Sequence, residues 1–448
     1  MSTAPSLPVA PPFTLRARLL TPLQAGGQAY LDDARIDVDG TGRISRVSAF
    51  ASPEGDGSPE SSATVLDIRP QVVMPGMVDL HAHLPQLPNA GVGAGLDLLT
   101  WLERYIYPIE RDFDVATAEE VAPAAFRAFA RAGTTTVVAY RALWADSRDT
   151  CFRAAETHGI RAVIGKVMMD RLSYDPDADL GEELDDSLAQ SRELCATWHG
   201  RDDGRLAYAF TPRFAVSCSD EILRRSATAA IELGAYWQTH LSEDRGEIAT
   251  VRRLFPDALD YTDVYDRAGG LDTRAILAHA IHLSDREVAR LAEAGAVIAH
   301  CPSSNLFLAS GAMPLARYLA AGIRVGLGSD VAAGPDAPLF SVMRAGAYTQ
   351  NALRAAGLSD APPLTPGEWL RMGTLGGAEA LGIGERIGSV EVGKEADLIA
   401  VDPSLTMPLE GIGEPPDDPP DDMLSRLIFR AHPAMVRGAW VRGRLLPA

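Results

Sequence analysis

Five side chains that can bind a metal ion recur at regular places along this 448-residue sequence. His81 and His83 are two residues apart, so on an extended strand both imidazoles lie on one face and can reach one ion. His240, His279 and Asp330 each stand where a later short apolar run ends. Imidazoles with a carboxylate suit Zn²⁺, with Fe²⁺ and Mn²⁺ as alternatives. A metal with an open position makes hydroxide available near neutral pH, so the set predicts a catalytic metal site.

Two further polar residues stand close to these ligands in the sequence. Glu243 follows His240 by three residues and is placed to move a proton between the metal water and a substrate nitrogen or leaving group. His300 ends another apolar run, and we expect it to support the site or the core rather than bind the ion. Three further histidines fall in predicted helices or loops and are expected to have no role in the metal site: His158, His199 and His432.

The elements that would position these ligands are repeated strand and helix units. From Val72 onward, short apolar runs alternate with helical stretches of ten or more residues, which is typical of a parallel sheet in an α/β fold. The predicted strands are Val72–Leu80, Thr134–Tyr140, Ala162–Met169, Leu206–Phe214, Tyr236–Leu241, Ala275–Ala280, Ala296–His300 and Arg324–Gly328. Eight such strands predict a (β/α)₈ TIM-type barrel, whose carboxyl strand ends all open on one face.

Both ends of the chain are rich in short β-like runs. At the start these runs are Phe13–Leu20, Arg35–Val38, Gly42–Val47 and Ala63–Ile68; at the end they are Ala396–Val401 and a hairpin, Ala434–Leu446, that turns near Gly443. We expect a small β-sandwich domain from residues 13–72 and 385–448 around a barrel of residues 73–384, with residues 1–12 flexible. The acidic stretch Glu414–Asp422 is expected to be a solvated loop.

The charge and cysteine composition of the chain excludes some classes of binding partner. Lys and Arg number 41 against 60 Asp and Glu, a net charge of −19, which disfavours nucleic acid and anionic membranes. We found no signal peptide and no long apolar span, so we expect a cytoplasmic protein with no membrane partner. Four cysteines without a Cys-x-x-Cys pair fit a reducing compartment.

Several stretches of the sequence resemble a known superfamily. Val73–His83, His240, His279, Ser329-Asp330 and the tail Gly388–Asp397 resemble the amidohydrolase superfamily along nearly the whole chain. Within it, a second set of segments is similar to the guanine deaminase family: Pro85–Gly91, Trp101–Pro108, Gly165–Asp170, Thr211–Phe214 and His300–Leu306.

The resemblance implies a fold, a metal site and a proton path. The fold would be a (β/α)₈ barrel with a β-sandwich side domain. One Zn²⁺ per subunit would be held by His81, His83, His240 and Asp330. His279 would lie beside the metal water, Asp330 would take its proton, and Glu243 would carry protons to the substrate.

The resemblance also implies a substrate and a mode of binding it. Gln86 and Arg213 would bind the hydrogen-bonding edge of a purine, and Phe214 would lie against the base beside His240 and Glu243. Guanine would be converted to xanthine and ammonia, and the protein would be a homodimer.

Two segments depart from the family pattern and leave the substrate open. These are Tyr140–Trp144, in which Arg141 and Trp144 could reach the barrel mouth or could simply pack, and Val331–Pro338. The alternative is a related amidohydrolase that deaminates a pterin, an oxidised purine or a triazine-like ring. A catalytically silent binding scaffold is a more distant alternative, because every candidate ligand and Glu243 are present.

Overall fold

A computed structural model describes residues 7–50, 65–143, 149–171, 180–409 and 418–448. The strands in chain order are β1 (Phe13–Pro22), β2 (Gln28–Val38), β3 (Ile44–Ala49), β4 (Val65–Pro75), β5 (Met77–His83), β6 (Thr134–Arg141), β7 (Arg161–Met168), β8 (Leu206–Pro212), β9 (Tyr236–Leu241), β10 (Arg274–His279), β11 (Val297–His300), β12 (Arg324–Leu327), β13 (Leu398–Val401), β14 (Val436–Val441) and β15 (Arg444–Leu445).

The helices in chain order are α1 (Leu98–Trp101), α2 (Tyr107–Arg111), α3 (Val115–Ala132), α4 (Thr150–His158), α5 (Leu180–Trp198), α6 (Arg201–Gly204), α7 (Asp220–Leu233), α8 (Arg245–Leu254), α9 (Tyr261–Arg267), α10 (Asp285–Ala294), α11 (Pro302–Phe307), α12 (Leu315–Ala320), α13 (Leu339–Ala355), α14 (Pro366–Gly373), α15 (Leu375–Ala380) and α16 (Pro420–Phe429). A π-helical turn, Leu102–Ile106, joins α1 to α2. Within the described ranges, no helix is long and apolar enough to cross a bilayer.

Strands β5 to β12 form the predicted parallel barrel. Each strand pairs with the next, in the order β12-β11-β10-β9-β8-β7-β6-β5. The first and last strands are joined beyond their ends, since Asp330 N–H donates to the His81 carbonyl at 2.8 Å and His83 N–H donates to the Val331 carbonyl at 3.0 Å. The strands are buried almost throughout, which explains why they appear in the sequence as continuous apolar runs. The predicted TIM-type architecture is confirmed.

The first predicted barrel strand, Val72–Leu80, is in fact parts of two strands. Residues up to Pro75 belong to β4 of the small sheet, and the barrel strand β5 begins at Met77. Gly76 stands between them, where a Cβ atom would clash with the side chain of Thr135. The apolar pattern runs unbroken across this junction because both strands are buried, so periodicity alone does not show the change of sheet.

The second sheet is built from both ends of the chain, as predicted. Its order is β15-β14-β13-β4-β1-β2-β3, with β4 parallel to β1 and antiparallel to β13. Its own apolar cluster includes Leu15, Ile36 and Trp440. The hairpin β14–β15 turns through Arg442 and Gly443, which both have left-handed backbone (φ 49° and 70°), typical of a two-residue hairpin turn.

The N-terminal residues that we predicted to be flexible are partly attached to this sheet. Trp440 Nε1–H donates to the carbonyl of Pro8 at 2.8 Å, and Leu445 N–H donates to that of Val9 at 3.0 Å. Residues 1–6 lie outside the described residues. Those two hydrogen bonds place residues 8 and 9 along the edge of β14 and β15.

Three helical regions can be compared with the local sequence patterns that predict them. The sequence pattern Ser284-x-x-Glu287 predicts a capping box, which starts α10, and Gly295 (φ 64°) ends this helix. The sequence of Pro366–Leu381 predicts one helix, but it breaks at Thr374, whose backbone is not helical, into α14 and α15. The end of the predicted acidic loop, from Pro420, instead begins α16, while residues 414–417 fall outside the described ranges.

The barrel and the small sheet meet at a buried group of ion pairs, which we call the seam. Arg161, the first residue of β7, pairs with Glu395 at 2.6 Å and with Asp397 at 3.0 Å. Arg386 and Arg442 pair with the same Glu395 at 2.6 and 2.8 Å. Because each seam carboxylate faces at least one guanidinium, the charges are compensated where the two sheets come together.

Candidate active site

The predicted metal ligands converge at the carboxyl end of the barrel. His81 Nε2 and His83 Nε2, at the end of β5, lie 3.1 and 3.3 Å from Asp330 Oδ1, which follows β12. The two imidazole nitrogens are 3.3 Å apart, and His240 Nε2 is 3.3 Å from that of His83. The four ligand atoms all lie within 4.8 Å of one another.

Hydrogen bonds behind the ligands aim them at a common point. His240 Nδ1–H donates to the backbone carbonyl of Arg213 at 2.6 Å, which turns Nε2 inward. Asp79 accepts from Ser329 Oγ–H at 2.6 Å, from Ser329 N–H at 2.9 Å and from His81 N–H at 3.1 Å. Asp79 thereby ties the end of β5 to the segment that carries Asp330. Sequence reasoning did not assign Asp79, although a carboxylate inside a buried strand, two residues before a ligand, was a usable signal.

The donor set fits a metal cation. Burial lowers the pKa of His81 to about 4 and that of His240 well below its usual value, so both rings are neutral near pH 7. The Nε2 atoms of His81 and His240 each lie 3.3 Å from that of His83, close enough for one cation to bind all three. Three imidazoles and one carboxylate form a donor set that binds divalent transition metals.

A second group of residues stands beside the ligands and can hold protons. His279 Nε2 lies 3.4 Å from Glu243 Oε2 and 3.7 Å from Asp330 Oδ2. Its Nδ1–H donates to Asn305 Oδ1 at 2.9 Å, which turns Nε2 towards Glu243 and Asp330. Ser310 Oγ–H donates to Glu243 Oε1 at 3.2 Å. Asn305 and Ser310 were not predicted, since their partners are 26 and 67 residues away in the sequence.

Glu243 is suited to carry a proton near neutral pH. Burial, followed by the nearby charge of Asp330, raises the pKa of Glu243 well above its usual value. A carboxyl group that keeps its proton at pH 7 can act as an acid towards a bound molecule.

The backbone is strained where these side chains emerge. Ser242, His279 and Asp330 are not glycines, yet they have φ values of 47°, 69° and 49°. Left-handed backbone costs a non-glycine residue about 1–3 kcal/mol and is concentrated at functional sites. The strain lies at the ends of the strands that present Glu243, His279 and Asp330, which marks these ends as the working face of the barrel.

A cavity opens in front of the metal ligands. Its roof is apolar and comes from Leu98, Trp101 and Leu102, which sequence reasoning missed. The residues that line it are His83, Gln86, Leu98, Trp101, Leu102, Arg213, Phe214, His240, Glu243, His279, Asp330 and Ala333. The structure therefore brings every predicted site residue to this cavity except His81, which stands behind it beside Asp330.

A carboxylate that the sequence analysis overlooked joins the two predicted substrate-binding residues. Glu110, in α2, accepts a hydrogen bond from Gln86 Nε2 at 2.7 Å and pairs with Arg213 Nη1. The Arg213 guanidinium also lies 5.4 Å from the ring centre of Tyr107. Glu110 and Arg213 are 103 residues apart in the chain, so no local pattern linked them.

The two segments that depart from the family pattern, Tyr140–Trp144 and Val331–Pro338, contribute little to the cavity lining. Tyr140 packs on the rings of His83 and His81, with centroids 4.6 and 4.9 Å apart. Arg141, the next residue along β6, is fully buried and acts electrostatically on Cys151 and Tyr208. Arg141 is absent from the residues that line the cavity.

The other segments in doubt can also be placed. Trp144 lies outside the described residues. From the segment Val331–Pro338, Ala333 lines the cavity. His300 is buried and stands outside the metal-binding group, as expected, and burial lowers its pKa to about 3.

Comparison with known proteins identifies the class to which this fold and site belong. The model of the amidohydrolase family matches residues 72–446, so the chain belongs to the amidohydrolase family. A guanine deaminase of Escherichia coli is 37% identical over 344 residues, covering 76% of this chain and 75% of that protein. The crystal structure of guanine deaminase from C. acetobutylicum, with guanine bound in its active site, has a TM-score of 0.87 and 30% identity, and covers 97% of this chain and 99% of that one.

A third relative was solved with a metal. An adenosine deaminase from Xanthomonas campestris with bound zinc has a TM-score of 0.80 and 31% identity, covering 98% of this chain and 93% of that one. The predicted resemblance to amidohydrolases, and to guanine deaminases among them, is confirmed.

Proposed function

We propose that this chain hydrolyses guanine to xanthine and ammonia. One observation carries the proposal: His83, His240 and Asp330 of the metal-binding group line one cavity together with Glu243, Gln86 and Arg213. The chain that builds this cavity is related to guanine deaminases over 76% of its length. A planar base with an oxo group and ring nitrogens matches an amide and a guanidinium set side by side.

We propose Zn²⁺ as the metal, one ion per subunit, held by His81, His83, His240 and Asp330. The support is the set of three imidazoles and one carboxylate, together with the zinc of the adenosine deaminase relative. Bound there, zinc would lower the pKa of a water molecule and so supply a nucleophile at neutral pH. Fe²⁺ and Mn²⁺ are the alternatives to be tested.

The residues of the chain would carry the protons of the hydrolysis. One water molecule adds across the double bond between C2 and the neighbouring ring nitrogen, and the bond from C2 to its amino group then breaks. Asp330 accepts one of its protons as oxygen joins C2, and Glu243, whose pKa is raised by burial, donates a proton to the neighbouring ring nitrogen. The second water proton then passes through these carboxyl groups to the amino group. The C2–N bond breaks, ammonia leaves and the C2 carbonyl of xanthine remains.

The neighbouring residues would orient the substrate and its developing charge. His279, held by Asn305, stands between Glu243 and Asp330 and can stabilise negative charge on the attacking oxygen. Arg213 would donate to the oxo group of the purine, and Phe214 would lie against the base. The apolar roof over the cavity would exclude bulk water from the bound base.

The alternative substrates are less well supported. Arg141, the strongest reason to consider another ring, is not among the residues that line the cavity. A silent scaffold is disfavoured because the ligands, Glu243 and His279 are assembled in one place.

The remaining predictions about the whole protein stay proposals. These are a homodimer, a cytoplasmic location and the division into a small sheet domain and a barrel. We move the first domain boundary to Gly76, because β4 stays in the small sheet up to Pro75.

The test is ammonia release from guanine, with identification of the second product, before and after removal of metal and restoration with zinc. We expect conversion to xanthine that disappears with the metal and returns with zinc. A panel of pterins, oxidised purines and aminotriazines, run at equal concentration, compares the alternatives. Zinc-loaded protein that leaves guanine unchanged would contradict the proposal, and turnover of a panel compound would then name the substrate class.

A further inference from the structure

Glu110 is a buried carboxylate that the reaction above does not use. It is 1% exposed and stands behind the cavity wall. One of its oxygens accepts from Gln86 Nε2 at 2.7 Å, and the other pairs with Arg213 Nη1. Gln86 and Arg213 line the cavity, so one carboxylate holds both side chains that would face the substrate edge.

The contact with Glu110 fixes which end of the Gln86 amide is turned away. A primary amide has donors on nitrogen and an acceptor on oxygen, and a rotation by half a turn exchanges them with little change in shape. A carboxylate only accepts, so Glu110 favours the rotamer that brings Nε2 towards it. Oε1 of Gln86 is then the free acceptor; it is buried and has no hydrogen-bond partner among the described residues.

The buried acceptor and the guanidinium together define a chemical pattern. A buried oxygen without a partner is costly, so a ligand that brings an N–H group to Oε1 is favoured. Arg213 offers only donors, so it favours a carbonyl oxygen on the same ligand. An N–H beside a carbonyl is the edge of a lactam ring. Guanine has this edge at N1–H and the 6-oxo group.

We propose that Glu110 determines substrate specificity by setting the polarity of the Gln86 amide, so that the cavity selects a lactam edge. An adenine-like edge has the opposite pattern, with an unprotonated ring nitrogen beside an amino group. The inference rests on the proposed function and deepens it. Glu110 acts through Gln86 and Arg213, so it is a positioning residue.

The experiment compares two substrates that lose the same amino group. Guanine and 2,6-diaminopurine both carry an amino group on C2, but the second has an amino group at C6 and no proton on N1. We expect the metal-loaded enzyme to prefer guanine in kcat/KM by at least about a hundredfold. Glu110→Gln, which can donate as well as accept, should lower that preference about tenfold, mainly through a higher KM for guanine. Its metal content should stay unchanged.

Two further variants separate specificity from folding. Glu103→Gln removes an exposed carboxylate from the π-helical turn next to α2 and should leave both substrates unaffected. Gln86→Leu keeps the pair of Glu110 with Arg213 but removes the acceptor, so it should show the same loss of preference even if Glu110→Gln does not fold. Adding Glu110→Gln to Gln86→Leu should change the preference little.

The outcomes distinguish this inference from the proposed function. Two results would overturn the role of Glu110 while leaving guanine turnover by the unmodified enzyme intact. One is an equal loss of kcat/KM for both substrates, and the other is an unchanged preference for guanine in Glu110→Gln and in Gln86→Leu. An unmodified, metal-loaded enzyme that does not deaminate guanine would overturn the proposed function, and this inference with it.

Discussion

The barrel mouth and the seam bury similar groups in opposite ways. In the seam, Glu395 faces Arg161, Arg386 and Arg442, and the charges compensate one another. In the mouth, Glu243 and Asp330 share a site with His279, and no arginine or lysine contact with either carboxylate is seen in the described part of the chain. The seam holds two sheets together, whereas the barrel mouth holds groups that remain able to bind a ligand or a proton.

The pKa values show the same contrast. Burial alone would raise the pKa of Glu395, but the charge of Arg161 and hydrogen bonds from Arg442 and Arg386 hold it at about 2. At the mouth, burial raises the pKa of Asp79 to about 7 and that of Glu243 well above its usual value, whereas the neighbouring histidines overcome burial and hold the pKa of Asp330 well below its usual value. Buried charge stabilises this fold where it is paired, and it is available for chemistry where it is not.

The largest effect is expected from Glu243→Gln. The amide has nearly the same shape as the carboxyl group but cannot carry a proton through the reaction, so we expect turnover to fall by about 10²–10⁴-fold. Metal content and the free energy of unfolding should change little, and both are measured beside the rate. Glu293→Gln, at an exposed position in α10, is the matched control. A variant that keeps more than a third of the rate would remove Glu243 from the proton path.

Removing an arginine from the seam should lower the stability of the protein without changing its catalytic rate. Arg161→Met leaves Glu395 and Asp397 buried without their shared partner and should lower the free energy of unfolding by about 3–5 kcal/mol. The control is Arg192→Met, which removes a surface pair with Glu232 and should cost about 1 kcal/mol or less. Denaturant unfolding measures both, and kcat of the folded fraction should be unchanged. Equal losses in the two variants would show that the seam is no different from the surface.

The smallest effect is a difference in how stability depends on pH. Burial, followed by the charge of Glu243, raises the pKa of Glu247 from 4.5 to about 7. As pH rises from 4.5 to 7, the unfolded chain loses this proton first, so the folded state loses stability. Glu247→Gln cannot titrate, and its stability relative to the unmodified protein should therefore improve between pH 5 and pH 8.

Glu395 should act in the opposite sense. Its folded pKa of about 2 lies below the ordinary 4.5, so its contribution is present above pH 4.5 and is lost as pH falls towards 2. Denaturant unfolding at pH 3, 5 and 8 measures the contribution of Glu395 at low pH and that of Glu247 at higher pH. A stability difference between Glu247→Gln and the unmodified protein that stays flat from pH 5 to pH 8 would contradict the contrast between the two regions.

The parts of the molecule that the sequence predicted are those with local signals. Each barrel strand is a short apolar run, and the spacing of His81 and His83 places two ligands on one face of one strand. The capping box at Ser284 is a four-residue pattern, and it was found where predicted. The ligands on other strands followed because parallel strands in a barrel end on the same face.

The parts that the sequence did not predict depend on contacts between distant segments. Glu110 meets Arg213, and Asn305 meets His279, only after the barrel has closed. The apolar roof was missed because α1 has four residues and continues into a π-helical turn, too short for a helical period to show. The junction at Gly76 was missed because a strand buried in one sheet has the same pattern as a strand buried in another.

The position of β4 between β1 and β13 has a consequence for synthesis of the chain. β1 and β4 leave the ribosome before the barrel does, whereas β13 and the seam residues Glu395 and Asp397 emerge after it. A chain released before residue 395 would have a barrel with Arg161 unpaired by these carboxylates and a β4 with one edge bare. Bare strand edges invite aggregation. Completion of the small sheet therefore depends on translation through β13, and products truncated before it would be left open to proteolysis.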